Sequence, residues 1–202
     1  DQAVIAIENV RLFAELDSRN HALTESLEQQ TATSDILRVI SSSPTDVQPV
    51  FDIIAERATK LCGAEVAVVS RFDGTLLQLA AIHGVTREGV EAVRQVFPIP
   101  TDFGNVTARV FRERAVVHVA DVLADRAYAM KGEAVTAGWR SGLGAPMFRD
   151  GQVIGVIFVG RSSPGLFSDQ RVELLKTFAD QAVIAIENVR LFRELEVRNR
   201  DL

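Results

Sequence analysis

The chain is 202 residues long and 47% hydrophobic, and it carries 22 Lys and Arg against 27 Asp and Glu, a net charge of −5. That length holds one ordinary domain with extensions or two small ones, and that apolar content excludes general disorder. The acidic balance argues against a nucleic-acid partner, the lack of any run of about 18 apolar residues argues against a membrane span, and a single cysteine, Cys62, excludes internal disulfides and Cys-rich zinc sites. A cytoplasmic location without a signal peptide is expected.

Residues 1–41 contain neither Gly nor Pro, and the first break is SSSPTD at 41–46. A continuous helix over that stretch would be roughly 60 Å long, longer than a small domain is wide. Leu12, Leu16, Leu23, Leu27 and Leu37 form a sparse seam, with Arg19, Gln30 and Ser34 at intervening positions. Polar seam residues weaken a coiled coil while fixing its register, so a parallel two-stranded coil is expected. The alternative is a helix folded back on its own domain.

The opening string DQAVIAIENVRLF returns letter for letter at Asp180–Phe192, and residues 1–23 match 180–202 at 18 of 23 positions. A repeat of that period suits one domain plus a linker. The first helix then reads as the exit helix of a preceding unit in a tandem array, and the last as leading onward to the next.

Between the ends, Thr45 and Gln48 suit a capping box and Pro49 suits a first helical turn. Val47, Val50, Phe51, Ile54, Ala58 and Leu61 then form an amphipathic stripe ending at Gly63. AEVAVVSRF (64–72) and TLLQLAAIHG (75–84), joined at Asp73-Gly74, predict a hairpin. Residues 86–95 and 104–113 read as helices, AVVHVADV (115–122) holds a short strand, and 124–140 is a long, weakly patterned connection. SGLGAPMFRDGQVIGVIFVGR (141–161) is a second hairpin turned by Asp-Gly. The order predicts an α+β fold, an antiparallel sheet with helices on one face and a cap on the other.

From Ser168 onward no Gly or Pro interrupts the chain, which allows a helix of over thirty residues. Val172, Leu175, Ala179, Ala182, Ile186 and Val189 make one stripe, while Leu174, Phe178, Ile184, Leu191, Leu195 and Leu202 lie off it. Apolar residues on two faces require two burial partners, one of them a second chain.

LCGAEVAVVSRFDG, RSGLGAPMFRDGQVIGVIFVGR and FSDQRVELLKTFADQAVIAIENVRLF together resemble the first strand, last hairpin and exit helix of a GAF domain. The flanking LTESLEQQTATSDILRVISSSP resembles linkers of bacterial multi-GAF sensor histidine kinases and nucleotide cyclases. The resemblance implies a five- or six-stranded antiparallel sheet, a small-molecule pocket beneath a cap, and dimerisation through long terminal coiled-coil helices. The implied domains are a signalling helix at 1–45, the GAF domain at 46–178 and an exit helix at 179–202.

The chemical candidates are few. Cys62, at a helix end, reads as a buried core thiol rather than a bilin anchor. A lone cysteine does not equip the chain for the thiol chemistry of the related free methionine sulfoxide reductases. His21, His83 and His118 are not spaced as metal ligands, so no metal is expected, and no catalytic constellation is visible. The cyclic-nucleotide signature of some relatives aligns at Phe167, but Arg171 and Val172 replace its acidic pair. Asp121 is a candidate ligand residue, able with Asp125 to form a carboxylate pair or bind a cation, though it reads chiefly as organising a turn.

Gly142 and Gly144 share one strand face, a pattern that marks close approach by a ligand or a large side chain. Trp139, Tyr128, Phe97 and Phe103 are the aromatics that would fill or line such a gap. Alternation along the first strand places Val66, Val68, Ser70 and Phe72 together. Ser70 would offer a hydroxyl and Arg140 a charge to a ligand. The function expected is a non-catalytic sensory and dimerisation module of a bacterial signalling protein, without a cofactor. A homodimer held by Leu12, Leu16, Leu23, Leu27, Leu191 and Leu195 is expected as its assembly. A ligand-free spacer in a tandem array is the alternative, and a bilin-, haem- or cyclic-nucleotide-binding domain is a more distant one.

Overall fold

The computed structural model describes residues 47–200, together with Glu8, Arg11, Leu12, Glu15, Leu16 and Arg19. Its elements are α1 (Gln48–Cys62), β1 (Val66–Phe72), β2 (Leu77–His83), α2 (Arg87–Val96), α3 (Val106–Glu113), β3 (Val117–Val119), α4 (Lys131–Ala137), β4 (Ser141–Arg149), β5 (Gln152–Arg161) and α5 (Asp169–Arg200). The strands form one antiparallel sheet in the order β2-β1-β5-β4-β3. A sixth strand is reduced to one bridge, where Leu77 and Ile99 exchange backbone hydrogen bonds of 2.9 and 3.0 Å.

Both hairpins turn where Asp-Gly predicts. Asp150 and Gly151 take φ of 49° and 72°, the left-handed pair that a tight turn matching the strand twist demands. The helical starts differ among themselves. Thr86 and Asn105 cap α2 and α3, accepting from the N–H of Gly89 and Ala108 at 3.2 and 2.9 Å. The capping box expected at Gln48 does not form on that residue. Val47 is the N-cap without a side-chain bond, and the Gln48 amide donates instead to Asp52 and to the Ala80 carbonyl on β2. Thr45 lies outside the described residues.

α1 and α5 pack together on one side of the sheet, with α5 against β4 and α1 against β2. Arg171 ties the two helices, its Nη1 donating to the Leu61 carbonyl at the end of α1, where Gly63 leaves room for the guanidinium. Leu175, Phe178, Ala179, Ala182 and Val189 of α5 are buried. Burying a side chain the size of Leu175 or Phe178 is worth about 1.5–3 kcal/mol. Phe178 corrects the reading that set it outside the inner stripe: it is 1% exposed and belongs to this domain's own core. α5 runs unbroken past 178, so core and exit helix are one element.

The other side carries α2, α3 and α4 with their loops. α4 was not anticipated within the 124–140 connection. It lacks a side-chain cap at Met130, yet buries Ala134 and Ala137. In the N-terminal stretch the described residues are helical, with Arg11 paired to Glu8 and Arg19 to Glu15 at 2.6 and 2.7 Å.

Candidate functional site

The candidate site is the space between the sheet and α2, α3 and α4. Residues opposite one another in an antiparallel ladder share a face. Val68, Phe158, Gly144 and Val117 therefore form one row, and Val66, Gly160, Gly142 and Val119 the next. Val66, Val68 and Phe158 belong to the buried cluster under the cap, as expected for the alternating face of β1.

Three glycines in these rows mark close approach. A Cβ at Gly142 would sit 2.6 Å from the Phe158 ring, and one at Gly160 would sit 2.8 Å from Cβ of Trp139. At Gly144 the neighbours would be Val110 and Val106 of α3, at 2.7 and 2.8 Å. The gap legible in the sequence is thus closed by α3 valines and by Phe158, with Trp139 seated over Gly160. What remains is a cavity of about 20 Å³, large enough for a single water.

Three of the expected ligand residues, Phe97, Tyr128 and Trp139, line that cavity. The Trp139 Nε1–H donates to the Tyr128 hydroxyl at 3.2 Å, and the Trp139 ring meets Phe158 edge-on at 5.6 Å between centroids. Burial pushes the Tyr128 phenol well above its ordinary range. Phe103 is half-buried and packs against the same cluster.

The other expected residues stand apart from the cavity lining. Ser70 is fully buried and its hydroxyl donates to the Val156 carbonyl at 3.4 Å. Asp121 accepts from Nε and Nη2 of Arg140, one bond to each carboxylate oxygen, and its Oδ1 also accepts from the Leu123 N–H at 3.0 Å. The Arg140 hydrogen bond holds the Asp121 carboxyl below the usual carboxylate range. The turn-organising reading of Asp121 describes this geometry, and Arg140 spends its charge there.

Asn105 and Met130 also line the cavity and were not singled out by the sequence. Asn105 is buried, caps α3 through its carbonyl oxygen, and directs its amide at the Met130 sulfur, 3.1 Å away. The Gly-Asn pair just before a helical stripe was the available signal. Arg109 and Asp125 brace the cap with an ion pair of 2.6 Å, and the Arg109 hydrogen bond lowers the carboxyl pKa.

Cys62 is buried, and desolvation pushes its thiol up to about 12. Among the described residues no group of three His, Cys, Asp or Glu is gathered as a metal site, and no helix is long and apolar enough to cross a membrane. Of the expected dimer contacts, Leu12, Leu16, Leu191 and Leu195 are exposed at 45, 57, 48 and 57%. Leu23 and Leu27 lie outside the described residues.

A sequence model of one family, the GAF domain, matches residues 44–187. Among solved structures, the GAF domain of a phosphoenolpyruvate-protein phosphotransferase from Coxiella burnetii superposes with a TM-score of 0.64 at 17% identity, covering 82% of this chain and 96% of that one. A methyl-accepting chemotaxis protein aligns with a TM-score of 0.63 at 27% identity, over 79% of this chain and 97% of the other. Free methionine-R-sulfoxide reductase from Neisseria meningitidis, in complex with its substrate, gives 0.61 at 21% identity, over 81% and 90%.

Proposed function

Because the chain belongs to the GAF domain family, a sensory and regulatory fold found in signalling proteins, we propose that it is a non-catalytic dimerisation and relay module of a bacterial signalling protein. Its output domain is of the histidine kinase or cyclase type, and packing changes around the cap pass to it along α5. The observation that carries this reading is the two-faced character of that helix. Leu175, Phe178, Ala182 and Val189 are buried in the domain, while Ile184, Leu191 and Leu195 are 61, 48 and 57% exposed. The spacing of the outer three follows a heptad seam, with Asn188 between Ile184 and Leu191 as a register-fixing polar position. A second copy of the chain offers the matching seam.

The non-catalytic part of the reading is supported by the single cysteine, which has no resolving partner and a thiol pushed away from its reactive form. Light scattering at micromolar concentration tests the assembly, with a dimer expected and a monomer fatal to the reading.

A second reading, a small ligand held under the cap, is favoured by the Asn105 amide. A thioether sulfur is a weak acceptor, so a ligand carbonyl would be a better partner than Met130. That reading requires the cap to open, since the present cavity accommodates one water.

A further inference from the structure

A cluster at the far edge of the sheet joins β3 to the start of α5. His118 on β3 is half-buried, and its Nε2 accepts the backbone N–H of Phe167 at 2.6 Å. The lone pair used there exists only when that nitrogen is unprotonated, so the ring is neutral with its proton on Nδ1. The imidazole also lies against the Phe167 ring at 5.3 Å between centroids. Arg161 of β5 places its guanidinium 4.0 Å from the centroid of the Phe167 ring and donates to the carbonyls of Gly165 and Leu166 at 3.2 and 2.9 Å. The Gly165 N–H completes the tie by donating to Ala120 at 2.7 Å.

We propose that His118 is a proton-sensitive latch whose neutral Nε2 fixes the 162–168 segment leading into α5, and whose protonation releases that segment. Protonation would convert the acceptor into a donor facing another donor, so the Phe167 N–H would be left unpaired in a buried setting, an arrangement that costs free energy. It would also add a second cation to a cluster that already holds the Arg161 guanidinium.

Among the described residues, the surrounding charges offer the imidazolium no partner. Arg161 opposes it directly. Asp121, beyond the end of β3, is committed to Arg140 ahead of β4, and Leu143, opposite His118 on β4, is apolar. In the first turn of α5, Asp169 is exposed and Arg171 is turned to the Leu61 carbonyl. On α3, Arg109 is bound to Asp125 and Arg112 to the Thr101 and Phe103 carbonyls. Burial, with Arg161 as the lesser cause, accordingly lowers the His118 pKa from 6.5. A base held neutral in the fold stabilises it fully above the unfolded value, and that contribution is lost as pH falls below about 6.5. The latch is independent of the dimer reading, because every group in it belongs to one domain.

Solution NMR on the whole chain tests it by following the His118 ring and the Phe167 amide between about pH 8 and about pH 5. The expected result is a Phe167 amide shift that moves in step with His118, at a midpoint below 6.5, while pH-corrected exchange of that amide rises about tenfold, the order expected for losing one buried hydrogen bond. In His118→Gln, whose side-chain oxygen accepts without titrating, the Phe167 amide should stay protected across the range. A Phe167 amide that ignores the His118 titration overturns the proposal, whatever the variant does. The same pH response persisting in His118→Gln overturns it equally.

Discussion

Gly142 lies directly opposite Gly160 across the β4–β5 ladder, and the ring of Phe158 leans over the ground that both leave open. A side chain at either position would meet this ring, so the pair explains how one large aromatic fits beneath Trp139, edge-on to its indole. The neighbouring Gly144 does a different job, admitting Val106 and Val110 of α3 to the sheet.

Gly144→Leu should therefore overpack the core. Added methylenes in a filled site cost typically about 1–3 kcal/mol, which lowers the midpoint of a domain this size by roughly 2–4 °C per kcal/mol. Thermal melting followed by circular dichroism reads this directly. An unchanged or raised midpoint would mean that the space beneath the cap can open, and would favour the ligand reading over the relay.

Cys62 should be nearly inert toward a thiol reagent in native buffer and react quickly once denaturant is added. Its thiol sits at about 12 because burial disfavours the thiolate. Fast native labelling would reopen a redox role for this residue.

Asp125→Asn should loosen the cap. The wild-type carboxyl is held below its ordinary 3.8, chiefly by Arg109, so its contribution is present above that value and disappears as pH falls through the lowered one. Melting curves taken across the acid range should show the variant less stable near neutrality, by on the order of 1 kcal/mol. The difference should close as the wild-type carboxylate protonates. Parallel curves at all pH values would remove the ion pair from the account.

Leu191→Glu with Leu195→Glu should convert a dimer to a folded monomer, because both side chains are exposed and neither contributes to the domain core. The wild-type dimer should survive raised salt, since burial of apolar surface is not screened. A dimer that persists in the double variant would move the interface elsewhere.

The parts of this fold legible in the sequence are those set by local chemistry. Asp73-Gly74 and Asp150-Gly151 fixed both hairpins, and Thr86 and Asn105 stand where caps are needed. Gly142 and Gly144 announced a close approach, but not by what. The occupants Val106 and Val110 come from a helix more than thirty residues earlier, and pairing at that distance leaves no periodic trace. Phe178 was misplaced for a related reason: spacing gives the direction a side chain points, not the width of the buried face. In the site itself the aromatics Tyr128 and Trp139 stood out by type. Asn105 did not, because an asparagine at a helix start is explained by capping before any second role is considered. Arg140 looked available for an anion until its partner Asp121 was seen beside it.

The bond from Arg171 to the Leu61 carbonyl has a consequence for how such domains are joined. With its first turn bolted to α1 and its inner residues seated on the sheet, α5 cannot rotate about its own axis without dismantling the core. The direction in which its free end faces is therefore set by counting residues. Each residue added or removed beyond Val189 swings whatever is fused downstream by roughly 100°. A series of chimaeras with linkers lengthened one residue at a time should switch their output on and off with the period of the helix, and a seven-residue insertion should restore the original phase.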